Sequence, residues 1–105
     1  MLLYNSSTSG KLDELRSLLE EKGFSVREEV SKEGHYWTVL HYASHYGHIN
    51  VVEYLIDYIM KTSDGDQVLN LQTIEGKTPL FCVIMSGDIT IDKKKTIIKM
   101  LFDTD

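Results

Sequence analysis

Cysteine, proline and tryptophan occur once each among the 105 residues, and 11 basic side chains face 16 acidic ones. A single thiol, Cys82, excludes an internal disulfide, and its apolar setting in Leu80-Phe81-Cys82-Val83-Ile84 predicts a buried, inert group. The formal net charge of −5 argues against a nucleic-acid partner, because neutralising phosphates takes a Lys/Arg-rich surface. The densest basic run, Lys93-Lys94-Lys95, reads as a solvated helix start. No apolar run approaches the roughly 20 residues that span a bilayer, and Met1-Leu2-Leu3-Tyr4 lacks the basic region and long apolar stretch of a secretory leader. The expectation is an intracellular protein, cytoplasmic or nuclear, with no membrane insertion.

Motifs for chemistry are equally scarce. Ser6, Ser7 and Ser9 stand outside any G-x-S-x-G context, and nothing around Cys82 marks a nucleophile. Ser63-Asp64-Gly65-Asp66 is a turn with two acids that would repel phosphate, and it is too short for a calcium loop. His41, His45 and His48 stand at i, i+4 and i+7, a spacing that could in principle ligate Zn²⁺. However, Gly47 should end the helix before His48 joins that face, and no HExxH pattern or second cysteine completes a site. No catalytic residue, metal or cofactor is expected.

What the chain does contain is self-similarity. Three stretches each offer a short apolar helix, a closing glycine (Gly10, Gly47, Gly87) and a second helix with apolar residues at i, i+3 and i+4. The middle one runs Thr38-Val39-Leu40-His41-Tyr42-Ala43, then Gly47-His48, Val51-Val52 and Leu55-Ile56. The last runs Gly76-Lys77-Thr78-Pro79-Leu80, then Gly87, Ile97-Ile98 and Leu101-Phe102. Pro79 suits a first helical turn and Thr78 can cap it. Each closing glycine is expected in a left-handed conformation. Asp64-Gly65-Asp66 and Glu33-Gly34 read as loops or hairpin turns.

The order Thr-x-Leu-His-x-Ala, Gly-His, Val-Val-x-x-Leu-Ile resembles the ankyrin repeat, a unit of about 33 residues with a T-P-L-H-x-A signature. Gly10 to Gly47 spans 37 residues and Gly47 to Gly87 spans 40, so the surplus should fall in loops. Counting places it after Leu19, around Asp57–Leu69, and between Gly87 and Ile97. The resemblance implies an all-α solenoid of stacked helix-turn-helix pairs with short hairpin loops, as one domain over 1–105 in approximate units 1–29, 30–69 and 70–105. The first unit, with Ser6 and Ser7 in place of small alanines, is expected to act as an N-terminal cap or a trimmed repeat. Leu40, Ala43, Val51, Val52, Leu55, Leu80, Ile98 and Leu101 are expected in the core.

The same resemblance gives His41 and His48 structural duties within and between repeats. It implies a monomeric, non-catalytic module that binds another protein through the concave surface of hairpin tips and first helices. Carried over position by position, that surface comprises His35, Trp37, His45, Tyr46, Ile74, Glu75, Lys77 and Met85, with Gly34 and Ser86 beside them. Trp37, Tyr46, Ile74 and Met85 are the apolar anchors of this reading, while Tyr36 at the hairpin's usual glycine position leaves open that Trp37 folds inward. Asp13, Glu14, Glu20, Glu21, Glu28 and Glu29 read as a solvated acidic face, or else as a patch that speeds a basic partner. The alternative to a free-standing module is a regulatory or positioning segment of a larger enzyme, transporter or effector.

Overall fold

The computed structural model describes residues 2–30, 35–63, 65–87 and 89–102, and among them it holds helices and no strand. In chain order these are α1 (Leu2–Ser9), α2 (Leu12–Arg16) running on into a π-helical turn (Ser17–Glu21), α3 (Val39–His45), α4 (Ile49–Met60), α5 (Gly65–Leu69), α6 (Pro79–Met85) and α7 (Ile91–Phe102). First helices α1, α3 and α6 pack side by side in one layer. Second helices α2, α4 and α7 form the other, with α4 between its two neighbours. Between the layers lie Leu3, Leu15, Leu40, Val51, Val52, Leu55, Val83 and Ile97, all buried.

Local chemistry explains the helix starts and stops. Thr78 precedes Pro79, and its hydroxyl accepts the Phe81 amide at 3.3 Å, satisfying one donor that a first turn leaves free. Ser6 and Ser7 are fully buried because their hydroxyls donate to the Leu3 carbonyl, at 3.3 and 2.7 Å, so a helix interior accepts them. Gly10 (φ 71°) and Gly47 (φ 73°) close α1 and α3 in the left-handed region. Each also makes room for the repeat that follows. A Cβ on Gly10 would stand 2.6 Å from the His48 ring, and one on Gly47 would stand 2.4 Å from Ile89.

The last repeat departs from expectation. Gly87 is not left-handed. Instead α6 stops at Met85 because Ser86 turns extended (φ −69°, ψ 132°) and its hydroxyl donates to the His45 carbonyl at 2.7 Å. The surplus residues are also spent differently from simple loops. Behind Leu19 they become the π-helical turn and a left-handed Gly23. After Ile56 they extend α4 to Met60 and add α5, which buries Val68 and Leu69. Gly65 therefore opens a helix rather than a loop; Asp64, Glu33 and Gly34 lie outside the described residues. In α7 the fully buried position is Ile97, whereas Ile98 and Leu101 are half-buried, as is Leu80 in α6.

Candidate functional site

The exposed side of the first-helix layer carries a chain of rings. Tyr4 of α1 meets Tyr42 of α3 edge-on at 5.2 Å, and Tyr42 meets Trp37 at 5.0 Å. Trp37 in turn contacts His45 at 5.6 Å, and His45 contacts Tyr46 at 4.8 Å. Such edge and tilted pairs are each worth about 0.5–1.5 kcal/mol beyond the area they bury, so the strip is a preorganised surface. Trp37 is half-buried in this strip, between the exposed and the inward-folded positions that the sequence leaves open. Tyr46, Ile74 and Met85 are exposed.

The hairpin tips sit beside the strip because the backbone ties them together. The Ile74 amide donates to the His35 carbonyl at 2.7 Å, bridging the hairpin that precedes α3 to the one that precedes α6. In the second hairpin the Thr73 amide donates to the Lys77 carbonyl at 2.9 Å, with Gly76 at φ 81°. The equivalent position in the first hairpin is Tyr36, held at φ 61°, a conformation that costs a non-glycine residue about 1–2 kcal/mol. Its amide donates to the Glu29 carboxylate at 3.1 Å, and the Val30 amide donates to the Trp37 carbonyl at 2.7 Å. Glu75 and Lys77 pair at 3.3 Å, so these two opposite charges offset one another at the tip. The structure thus gathers His35, Trp37, His45 and Tyr46 around one hairpin and helix, with Ile74, Glu75 and Lys77 on the adjoining tip and Met85 at the end of α6.

Tyr4 and Tyr42 were missed by the sequence reading. Their hint was Tyr42 standing one helical turn before Tyr46, and only the packing of α1 on α3 brings Tyr4 to it. Burial pushes the Tyr42 hydroxyl above its ordinary range, with Tyr4, Tyr46 and Glu29 adding to the effect. The strip is therefore uncharged at its centre.

The histidines are engaged in structure. The His41 ring is buried, with Nδ1 accepting the Thr38 amide at 3.1 Å and Nε2 donating to the Lys77 carbonyl at 3.0 Å. Burial lowers its pKa, against the raising effect of its backbone hydrogen bonds to Lys77 and Leu71. His48 joins the first two repeats through Nε2 and the Thr8 carbonyl, 2.6 Å apart. Among the described residues no three His, Cys, Asp or Glu side chains gather to hold a metal ion. Cys82 is buried, and that burial pushes its thiol up to about 11, far from a reactive thiolate.

Three successive helix pairs, the first two with turn glycines that seat the following repeat and the second with a buried histidine reaching the next hairpin, form one repeating architecture. A family model of ankyrin repeats in three copies matches residues 2–105. The chain belongs to the ankyrin repeat family. A search of curated proteins returned no match. Ankyrin repeats are generally protein–protein interaction modules and are typically non-catalytic. No helix among the described residues is long and apolar enough to cross a membrane.

Proposed function

We propose that this ankyrin module performs no chemistry of its own and binds a partner protein through the concave face formed by the hairpin tips and first helices. The observation that carries this reading is the ring strip from Tyr4 to Tyr46, continued by exposed Ile74 and Met85. Rigid aromatic residues with one face in solvent are what interfaces use as anchors, because they contribute large area at little entropic cost. The left-handed Tyr36 beside it supports the same face, since strained backbone concentrates where the surroundings hold a functional shape. His35, Glu75 and Lys77 would supply the polar rim.

Substituting Tyr46→Ala, Ile74→Ser and Met85→Ser together removes three exposed anchors at the cost of the Tyr46 ring contacts with His45 and His48. Partner capture should fall at least tenfold while the melting temperature stays within a few degrees. Unchanged capture at unchanged helicity would place the interface elsewhere. Trp37→Ala is the less clean probe, since it also removes three ring contacts.

A further inference from the structure

The two ends of the stack differ from its middle, and the repeat register makes the difference legible. His41, Ser44 and Ile56 of the second repeat are buried; their equivalents in the third, Phe81, Ile84 and Phe102, are 42%, 51% and 61% exposed. The positions are the same, and the residues at the uncovered end are as large or larger and more apolar at two of the three. Large apolar side chains side by side on an outer repeat face mark a surface suited to being covered. The turn glycines agree. Gly10 seats His48 and Gly47 seats Ile89, but among the described residues nothing beyond its chain neighbours stands within 4 Å of where a Gly87 Cβ would be.

The other end offers the matching half. Within the stack α6 packs on α3 with small side chains on two successive turns: Cys82, which is buried, and Ser86, which donates to the His45 carbonyl. Their equivalents in α1 are Asn5 and Ser9, small, polar and exposed. The second helices add charge. From Leu12 to Glu21 there are four carboxylates and one guanidinium, net −3, and from Ile91 to Phe102 four ammonium groups and one carboxylate, net +3. Second helices lie side by side along the stack, so extending it by one unit would bring these two opposite charges together.

We infer that a second copy of this chain docks head to tail, its α1 and α2 covering α6 and α7 as α6 and α7 cover α3 and α4. Ser9 of the incoming copy takes the role of Ser86, and Phe81, Ile84 and Phe102 become buried. The contact joins two different surfaces, so it does not close on itself and assemblies grow from either end. It is separate from the concave face proposed above, and neither reading depends on the other.

Sedimentation velocity on the full chain tests this. The weight-average mass of wild type should climb with concentration past twice the 12.0 kDa of one chain, and fall back in high salt as the charge attraction is screened. Phe81→His with Ile84→Ser restores second-repeat residues and disables one end; Asn5→Arg with Ser9→Arg disables the other. Each double variant alone should stay at 12.0 kDa with unchanged helical signal, and the two mixed should pair and stop at twice that mass. Wild type remaining at 12.0 kDa throughout would overturn the proposal. So would self-association of the Asn5/Ser9 variant by itself, which a head-to-tail contact does not permit.

Discussion

The second and third repeats share a register yet solve the same positions in opposite ways. At the signature histidine the second repeat buries His41 between its own Thr38 and the next hairpin's Lys77, while the third exposes Phe81. At the turn the second repeat uses a left-handed Gly47 packed under Ile89, while the third uses an extended Ser86 and leaves Gly87 uncovered. Having a neighbour on both sides accounts for the contrast. Within the described stack His41 and Gly47 lie between two helix pairs and are fitted to both, whereas Phe81 and Gly87 lie on a face that the chain's own described residues leave open.

Alanine at the two turn glycines should widen that contrast most. Gly47→Ala places a Cβ in the left-handed region, at about 1–2 kcal/mol, and drives it into Ile89 near its branch point, at about 1–3 kcal/mol more. Urea unfolding should therefore show a loss of about 2–5 kcal/mol, a large part of the roughly 5–15 kcal/mol a domain of this size commands. Gly87→Ala meets neither penalty and should change stability by no more than about 0.5 kcal/mol. Equal effects at both positions would show that the two turns are not built as described.

Next in size is the histidine position. His41→Ala leaves the buried Thr38 amide without its ring acceptor and takes from the Lys77 carbonyl one of its two donors, the Thr73 amide remaining, an expected loss of about 2–4 kcal/mol. Phe81→Ala at the equivalent place should cost under about 1 kcal/mol in dilute solution, because that ring is substantially exposed.

These pairs also mark what was legible in the sequence. Thr38, His41, Gly47 and the Val51-Val52-Leu55-Ile56 stripe are short-range signals whose meaning is local, and the second repeat folds as they imply. The helix α5 was not legible, because Gly65 between two aspartates is turn chemistry, and only packing of Val68 and Leu69 against the core overrides it. Nor was the choice of Ile97 over Ile98 as the fully buried residue of α7: adjacent isoleucines both fit an apolar stripe, and the rotation of the helix against α4 decides. Of the candidate face, the individual positions were visible from the repeat register. The ring strip was not, since Tyr4 and Tyr42 are 38 residues apart in the chain and meet only when α1 packs on α3.

The two hairpins extend the comparison at smaller scale. Tyr36 and Gly76 occupy the same left-handed position, so exchanging their residue types should have opposite signs. Tyr36→Gly relieves about 1–2 kcal/mol of backbone strain and loses about 0.5–1 kcal/mol to chain entropy, for a net gain of up to about 1.5 kcal/mol. Gly76→Ala should lose about 1 kcal/mol. If Tyr36→Gly stabilises the fold and weakens partner capture, the strain is retained for the binding surface; stabilisation without any loss of capture would separate the two.

Acidification gives the smallest effect and one that only the second repeat can show, because the third has Phe81 where His41 stands. Burial lowers the folded-state pKa of His41, so below the unfolded value of about 6.5 the unfolded chain binds a proton that the folded chain resists. Stability from this group is therefore fully present above pH of about 6.5 and declines as pH falls from there toward the folded pKa, with a slope of at most about 1.4 kcal/mol per pH unit. His41→Gln cannot titrate, and its stability should fall less steeply than wild type over the same window. Parallel slopes would mean that the His41 ring takes up its proton as readily folded as unfolded, which its position between Thr38 and the Lys77 carbonyl does not allow: a protonated Nδ1 could no longer accept the Thr38 amide.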